Sequence, residues 1–154
     1  MKYIRLFEQF EEGHKFDILD LFMISPSEVE ELFFKELNKE TIDLENIQVF
    51  LDSGLVDVHT KGKYGYTPLH RAAMGNHLEL AQLLISSGAE LEAKDEYGRT
   101  PLDWAAWENS LELAQFLISS GADLNAKDND GRTPLDWARN QKMKELLISH
   151  GGVR

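Results

Sequence analysis

The chain of 154 residues holds 16 basic and 27 acidic residues, a net charge of −11, and no cysteine. The length is that of one domain; the acidic balance argues against nucleic acid or an anionic membrane as partner, and the lack of thiols excludes a disulfide frame, a thiolate metal site and a cysteine nucleophile. That composition suits a reducing, cytoplasmic setting.

Residues 1–25 open the chain. Tyr3, Leu6, Phe7 and Phe10 fall at helical spacing with Glu8, Glu11 and Glu12 on the other side, Gly13-His14 interrupts, and an apolar stretch from Phe16 to Ile24 is broken by Asp17 and Asp20. One or two helices covering the end of a larger array are expected here, the alternative being a docking segment. The apolar runs are too short and too charged for a secretory core or a membrane span.

From Ser25 onward the pattern becomes periodic. Ser25-Pro26-Ser27-Glu28 has the form of a capping box and predicts a helix over about 26–39. Leu44 to Gly54 reads as a second apolar helix closed by glycine, with an exit at Leu55–Lys61 that is one residue longer than in later copies.

Thr-Pro-Leu then occurs at Thr67, Thr100 and Thr133, at intervals of 33 residues. Each Thr supplies an N-cap oxygen, and each Pro fits the first helical position, where no backbone donor is needed. Asp103 and Asp136 stand three residues later, placed to reach back to the Thr amide, and His70 holds that capping place in the first copy. The pairs Ala72-Ala73 and Ala105-Ala106 allow close helix packing. Asn76 and Asn109 break the first helix in the left-handed conformation. A second apolar helix ends at Gly88 or Gly121, and a short extended link with a turn leads to the next copy. The third copy has three fewer residues before Leu146. Its Arg139, Asn140, Gln141, Lys142, Lys144 and Glu145 suit the polar outer face of a terminal unit.

Period, caps and apolar pattern together resemble the ankyrin repeat. The resemblance implies an all-α solenoid of helix-turn-helix units with short hairpin loops: a helical cap over 1–25, then units at about 26–61, 62–94, 95–127 and 128–154. It also implies a module that binds another protein on a concave face lined by hairpin tips and first helices. The contacting positions would be Lys61, Lys63, Tyr64, Tyr66, Met74 and Gly75; then Lys94, Glu96, Tyr97, Arg99, Trp107 and Glu108; then Lys127, Asn129, Asp130, Arg132, Asn140 and Gln141. Among these, Lys63, Tyr64, Tyr66, Met74, Lys94, Tyr97, Arg99, Trp107, Glu108 and Arg132 are the candidate partner-binding residues, Tyr, Trp and Arg being the types that most often carry interface energy. Trp104 and Trp137 read instead as packing against the neighbouring unit.

Charge adds a polarity. Residues 1–60 hold 5 basic and 14 acidic residues, and residues 61–154 hold 11 and 13. The acidic end suits a basic patch on a partner, while the column Lys61, Lys94, Lys127 suits an acidic one. The five histidines are scattered, and neither a phosphate loop nor a nucleophile elbow occurs, so no enzyme activity, cofactor or metal is expected. The reading is a monomer that binds a protein. The alternative is an inhibitory or structural subunit docking through its acidic N-terminal segment, with the repeats as scaffold.

Overall fold

The computed structural model describes residues 24–39 and 41–153, so the helical cap expected over residues 1–25 falls outside the description apart from its last two residues. The described chain is all-helical, with eight α-helices and no strand. It divides into two compact units, residues 1–60 and 61–154.

In the first unit the capping box at Ser25 forms as the sequence predicts. The Ser25 amide donates to the Glu28 carboxylate at 2.8 Å, and the Ser25 hydroxyl accepts from the Glu28 amide. Helix α1 (Pro26–Leu37) starts there and ends two residues earlier than expected. Helix α2 (Leu44–Asp52) is capped by Asp43, whose carboxylate accepts from the Glu45 and Asn46 amides. Val29, Leu32, Phe33 and Leu37 bury themselves with Ile47 and Phe50. The Phe33 and Phe50 rings meet edge-on at 5.5 Å, a favoured geometry for aromatic quadrupoles. Fully buried Glu36 accepts from the Lys39 ammonium and from the Asp43 amide, so it ties the end of α1 to the start of α2.

The second unit is a double layer. First helices α3 (Pro68–Gly75), α5 (Pro101–Glu108) and α7 (Pro134–Trp137) pack in sequence against one another. Second helices α4 (Leu78–Ser86), α6 (Leu111–Ser119) and α8 (Gln141–Ser149) form the other layer. Thr67, Thr100 and Thr133 each open a first helix with a reciprocal capping box, to His70, Asp103 and Asp136. Asn76 and Asn109 adopt φ 55° and 61°, the left-handed turn that separates the two helices of a unit. Alanines 72, 73, 105 and 106 are fully buried between layers, with Leu69, Leu84, Leu102, Leu113 and Leu117 around them.

The missing three residues of the last copy are taken from its first helix. Helix α7 is four residues long where α3 and α5 are eight. No left-handed asparagine follows it, and Asn140 becomes the N-cap of α8, its side chain accepting from the Met143 amide at 2.9 Å. Asn140 and Gln141 therefore belong to the second helix, and the repeat register does not carry them to the end of a first helix.

The links form tight loops without strand pairing. Each closes on itself through backbone bonds: the Gly62, Asp95 and Asp128 amides donate to the Tyr66, Arg99 and Arg132 carbonyls, and the Gly65, Gly98 and Gly131 amides donate back to the Gly62, Asp95 and Asp128 carbonyls. Successive loops then join, the Glu96 amide donating to the Tyr64 carbonyl and the Asn129 amide to the Tyr97 carbonyl, at 3.1 and 3.0 Å. Gly98 turns at φ 76° directly beneath Asn129, where a Cβ would come within 2.8 Å of the Asn129 amide nitrogen.

Removing core volume should be felt by the second unit as a whole. Leu117→Ala, which truncates a fully buried side chain of α6, is expected to lower unfolding free energy by about 2–5 kcal/mol. The check is a lower urea midpoint at unchanged slope.

Candidate functional site

The loop tips are organised around one carboxylate each. Asp95 Oδ1 accepts from the Tyr97 and Arg99 amides at 2.8 and 2.9 Å. Its Oδ2 accepts from Arg99 Nε at 2.9 Å and Trp104 Nε1 at 3.1 Å. One unit later Asp128 repeats the arrangement with the Asp130 and Arg132 amides, Arg132 Nε at 3.2 Å and Trp137 Nε1 at 3.2 Å. Both carboxylates are buried and fully engaged, which lets a charge sit there at low cost.

This holds each guanidinium over the indole that shares its carboxylate. Arg99 lies 4.2 Å from the Trp104 ring centroid, and Arg132 lies 4.3 Å from that of Trp137. In the first of the three copies the same two positions hold Tyr66 and Arg71, so the types are exchanged, and Arg71 lies 5.0 Å over the Tyr66 ring. Rings link the units: Tyr66 meets Trp104 edge-on at 5.5 Å, and Trp107 meets Trp137 at 5.1 Å. Tyr64 rests against Tyr66, Lys63 over Tyr64, Tyr97 under Arg99, and Arg139 over Trp107 at 3.3 Å. The outcome is a continuous ladder of cations and rings across the loops and first helices.

The ladder is built on repeated units, and the sequence comparison identifies them. Residues 35–128, more than half of the chain, match the family described as ankyrin repeats, in three copies. The chain belongs to the ankyrin repeat family. Ankyrin repeats are in general protein–protein interaction modules on a non-enzymatic fold. The matched ankyrin segment begins within α1, so it takes in part of the atypical upstream copy, and it stops where the shortened last copy begins. A comparison with curated proteins gives no match.

Of the residues read from the sequence, Lys63, Tyr64, Tyr66, Tyr97, Arg99, Trp107 and Arg132 come together in the ladder. Tyr97 and Tyr64 stay open to solvent, at 53% and 43% exposure, whereas Trp107 is half-buried under Arg139 and against Trp137. Met74, half-buried on α3, and Glu108, exposed at the end of α5, lie outside the ladder of ring contacts. Lys94 has a different task. Lys61 Nζ donates to the Lys94 carbonyl at 2.9 Å and Lys94 Nζ to the Lys127 carbonyl at 3.0 Å, so the lysine column staples successive tips. Trp104 and Trp137 do pack on the preceding copy, and in addition each donates its indole N–H to the loop carboxylate.

Sequence reasoning missed the parts played by Asp95, Asp128, Arg71 and Arg139. The signal for the first two was present as Asp, Arg and Trp at the same spacing twice, 95/99/104 and 128/132/137. Among the described residues no group of His, Asp or Glu is set to hold a metal, and no helix is long and apolar enough to cross a membrane. An open groove of about 620 Å³ runs along α6 and α8, lined by Leu111, Gln115 and Leu146 with charged residues at its margin.

Beneath the ladder the capping residues titrate in opposite senses. His70 is fully buried; its Nε2 bonds the Arg99 carbonyl at 3.0 Å, and its Nδ1 accepts from the Thr67 amide. It is thus a neutral ring joining one ankyrin unit to the next, and burial lowers its pKa to about 4. Asp103 replaces it one unit on. Its Oδ2 accepts from the Thr100 amide at 2.7 Å, but its buried Oδ1 has no partner. Burial raises its pKa to about 6, against the lowering effect of the Thr100 hydrogen bonds.

Because the folded pKa of Asp103 stands above the ordinary 3.8, the carboxylate weakens the fold at pH 7, and that cost fades as pH falls through 6 towards 3.8. His70 runs the other way: its contribution is full above pH 6.5 and is lost as pH falls towards 4. Asp103→Asn, whose amide nitrogen would stand at the unpartnered oxygen, is expected to be more stable than the parent at pH 7 by up to about 3 kcal/mol. The difference should vanish near pH 4. Urea denaturation of both proteins at the two pH values reads it directly.

Proposed function

We propose that this ankyrin chain holds a partner protein on the concave face made by its loop tips and first helices, with Tyr64, Tyr97, Arg99 and Trp107 as the principal contacts. The observation that carries this reading is the ladder. It gathers aromatic rings and guanidiniums, the groups richest in interface energy, on one surface. The rings are held by stacking and by the loop carboxylates, so little side-chain entropy remains to be lost on association. Tyr97 and Tyr64 project from it as large exposed side chains, while the other aromatic residues among those described are buried or half-buried.

The core supports the assignment from the other side. Leu69, Leu102, Leu113 and Leu117 are fully buried, so truncating them would act through stability. Tyr64, Tyr97 and Trp107 lie outside that core. A second reading, docking through the acidic N-terminal segment, rests on the 14 acidic residues among the first 60.

The two are told apart by capture from an extract of the native cell. Tyr97→Ala combined with Trp107→Ala should leave the far-ultraviolet circular dichroism nearly unchanged and abolish retention of the protein that the parent captures. Unchanged retention would place binding elsewhere. Removal of residues 1–12 should leave retention intact; loss of the captured protein from a still-folded variant would favour the second reading.

A further inference from the structure

We infer that the segment seated on this face is acidic, carrying carboxylates on both sides of a large apolar side chain. This rests on the interaction reading above and adds the chemistry of the partner. The decisive comparison is internal. Position 130 in the last copy and position 97 in the one before occupy the same register, as do Arg132 and Arg99. Asp130 puts its carboxylate on the Arg132 terminal nitrogen Nη2. At Arg99 that place is taken by Tyr97, which stacks on the guanidinium face at 4.5 Å and supplies no carboxylate. Arg99 Nη2 reaches only the Tyr66 hydroxyl, at 3.4 Å. The chain thus contains, one unit away, a picture of a carboxylate on the terminal nitrogen that at Arg99 meets only a long bond to the Tyr66 hydroxyl.

A second guanidinium completes the pattern. Arg139 is exposed, lies over the Trp107 ring, and has no ion pair among the described residues. Trp107 in turn meets Trp137, and Arg99 stands 5.9 Å from the Trp137 ring. Arg99 and Arg139 therefore bracket an indole pair. Arg139 has its N–H edge available to a carboxylate through two parallel hydrogen bonds, and Arg99, its side chain 16% exposed, offers the terminal nitrogens that Asp95 does not engage. Between the two cations the indoles offer an apolar seat. The acids nearest the ladder do not fill these edges: Asp95 engages Arg99 only through Nε, and Asp128 and Asp130 engage Arg132.

All three tryptophans of the chain, Trp104, Trp107 and Trp137, belong to this face, so indole fluorescence reports on it alone. The test titrates the full chain with a blocked peptide of the form Glu-Glu-Leu-Glu-Glu-Leu-Glu-Glu and with its lysine and glutamine counterparts. The glutamate peptide should give a saturable fluorescence change although the chain itself is net negative. Its affinity should fall about tenfold in Arg139→Gln, an exposed substitution that leaves the fold intact, and should fall further as salt is raised. A saturable response to the lysine or glutamine peptide but not to glutamate would overturn the acidic assignment while leaving the face as a binding surface. An unchanged affinity in Arg139→Gln would overturn the bracket. No response to any of the three would also overturn the inference, and the capture experiment with the Tyr97/Trp107 variant then decides separately whether the face binds at all.

Discussion

A single buried carboxylate at the base of each later loop holds the ladder of rings and cations together. Asp95 and Asp128 each collect two backbone amides, one guanidinium and one indole N–H. The amides shape the loop, the indole joins it to the first helix, and the guanidinium is held over that indole. Four donors from one turn of chain converge on two oxygens, so none of these groups can reorient without leaving another unsatisfied. Backbone bonds from Tyr64 to Glu96 and from Tyr97 to Asn129 then carry the orientation from loop to loop.

Most of the ladder lies at other positions of the repeat than the core does. Paired alanines and the leucines of both layers fill the interior. The ladder occupies the residue before the Thr, the residue four after it and the loop, with Trp107 and Arg139 added further along. In the first copy Gly62 stands where the later ones have Asp, and there the aromatic and the arginine exchange places. The pairing survives the exchange because a stacked cation and ring need contact rather than a particular order along the chain.

Much of this was legible beforehand. The 33-residue interval, the capping boxes at Ser25, Thr67, Thr100 and Thr133, and the left-handed asparagines follow from local chemistry, and local chemistry can be read from a string. The deletion in the last copy was visible, but its placement was not: whether three lost residues shorten a loop or a helix depends on which cap wins, and Asn140 won. Lys61 and Lys94 looked like free cations because nothing in a sequence shows a carbonyl one unit away. Trp107 looked free for the same reason, since its covering residue, Arg139, comes from the shortened copy.

The one-turn helix α7 has a consequence for how the array comes apart. Helices of that length hold few internal hydrogen bonds and depend on neighbours, and α7 has α5 on one side with α8 behind it. In a stack where each unit leans on the next, the hold on α7 comes from α5 and α8 rather than from its own turn. Trp137, and with it one wall of the indole pair, sits on that short helix. A ligand held by the indole pair would therefore steady the last unit by linkage, and loosening that unit would weaken the hold on the ligand.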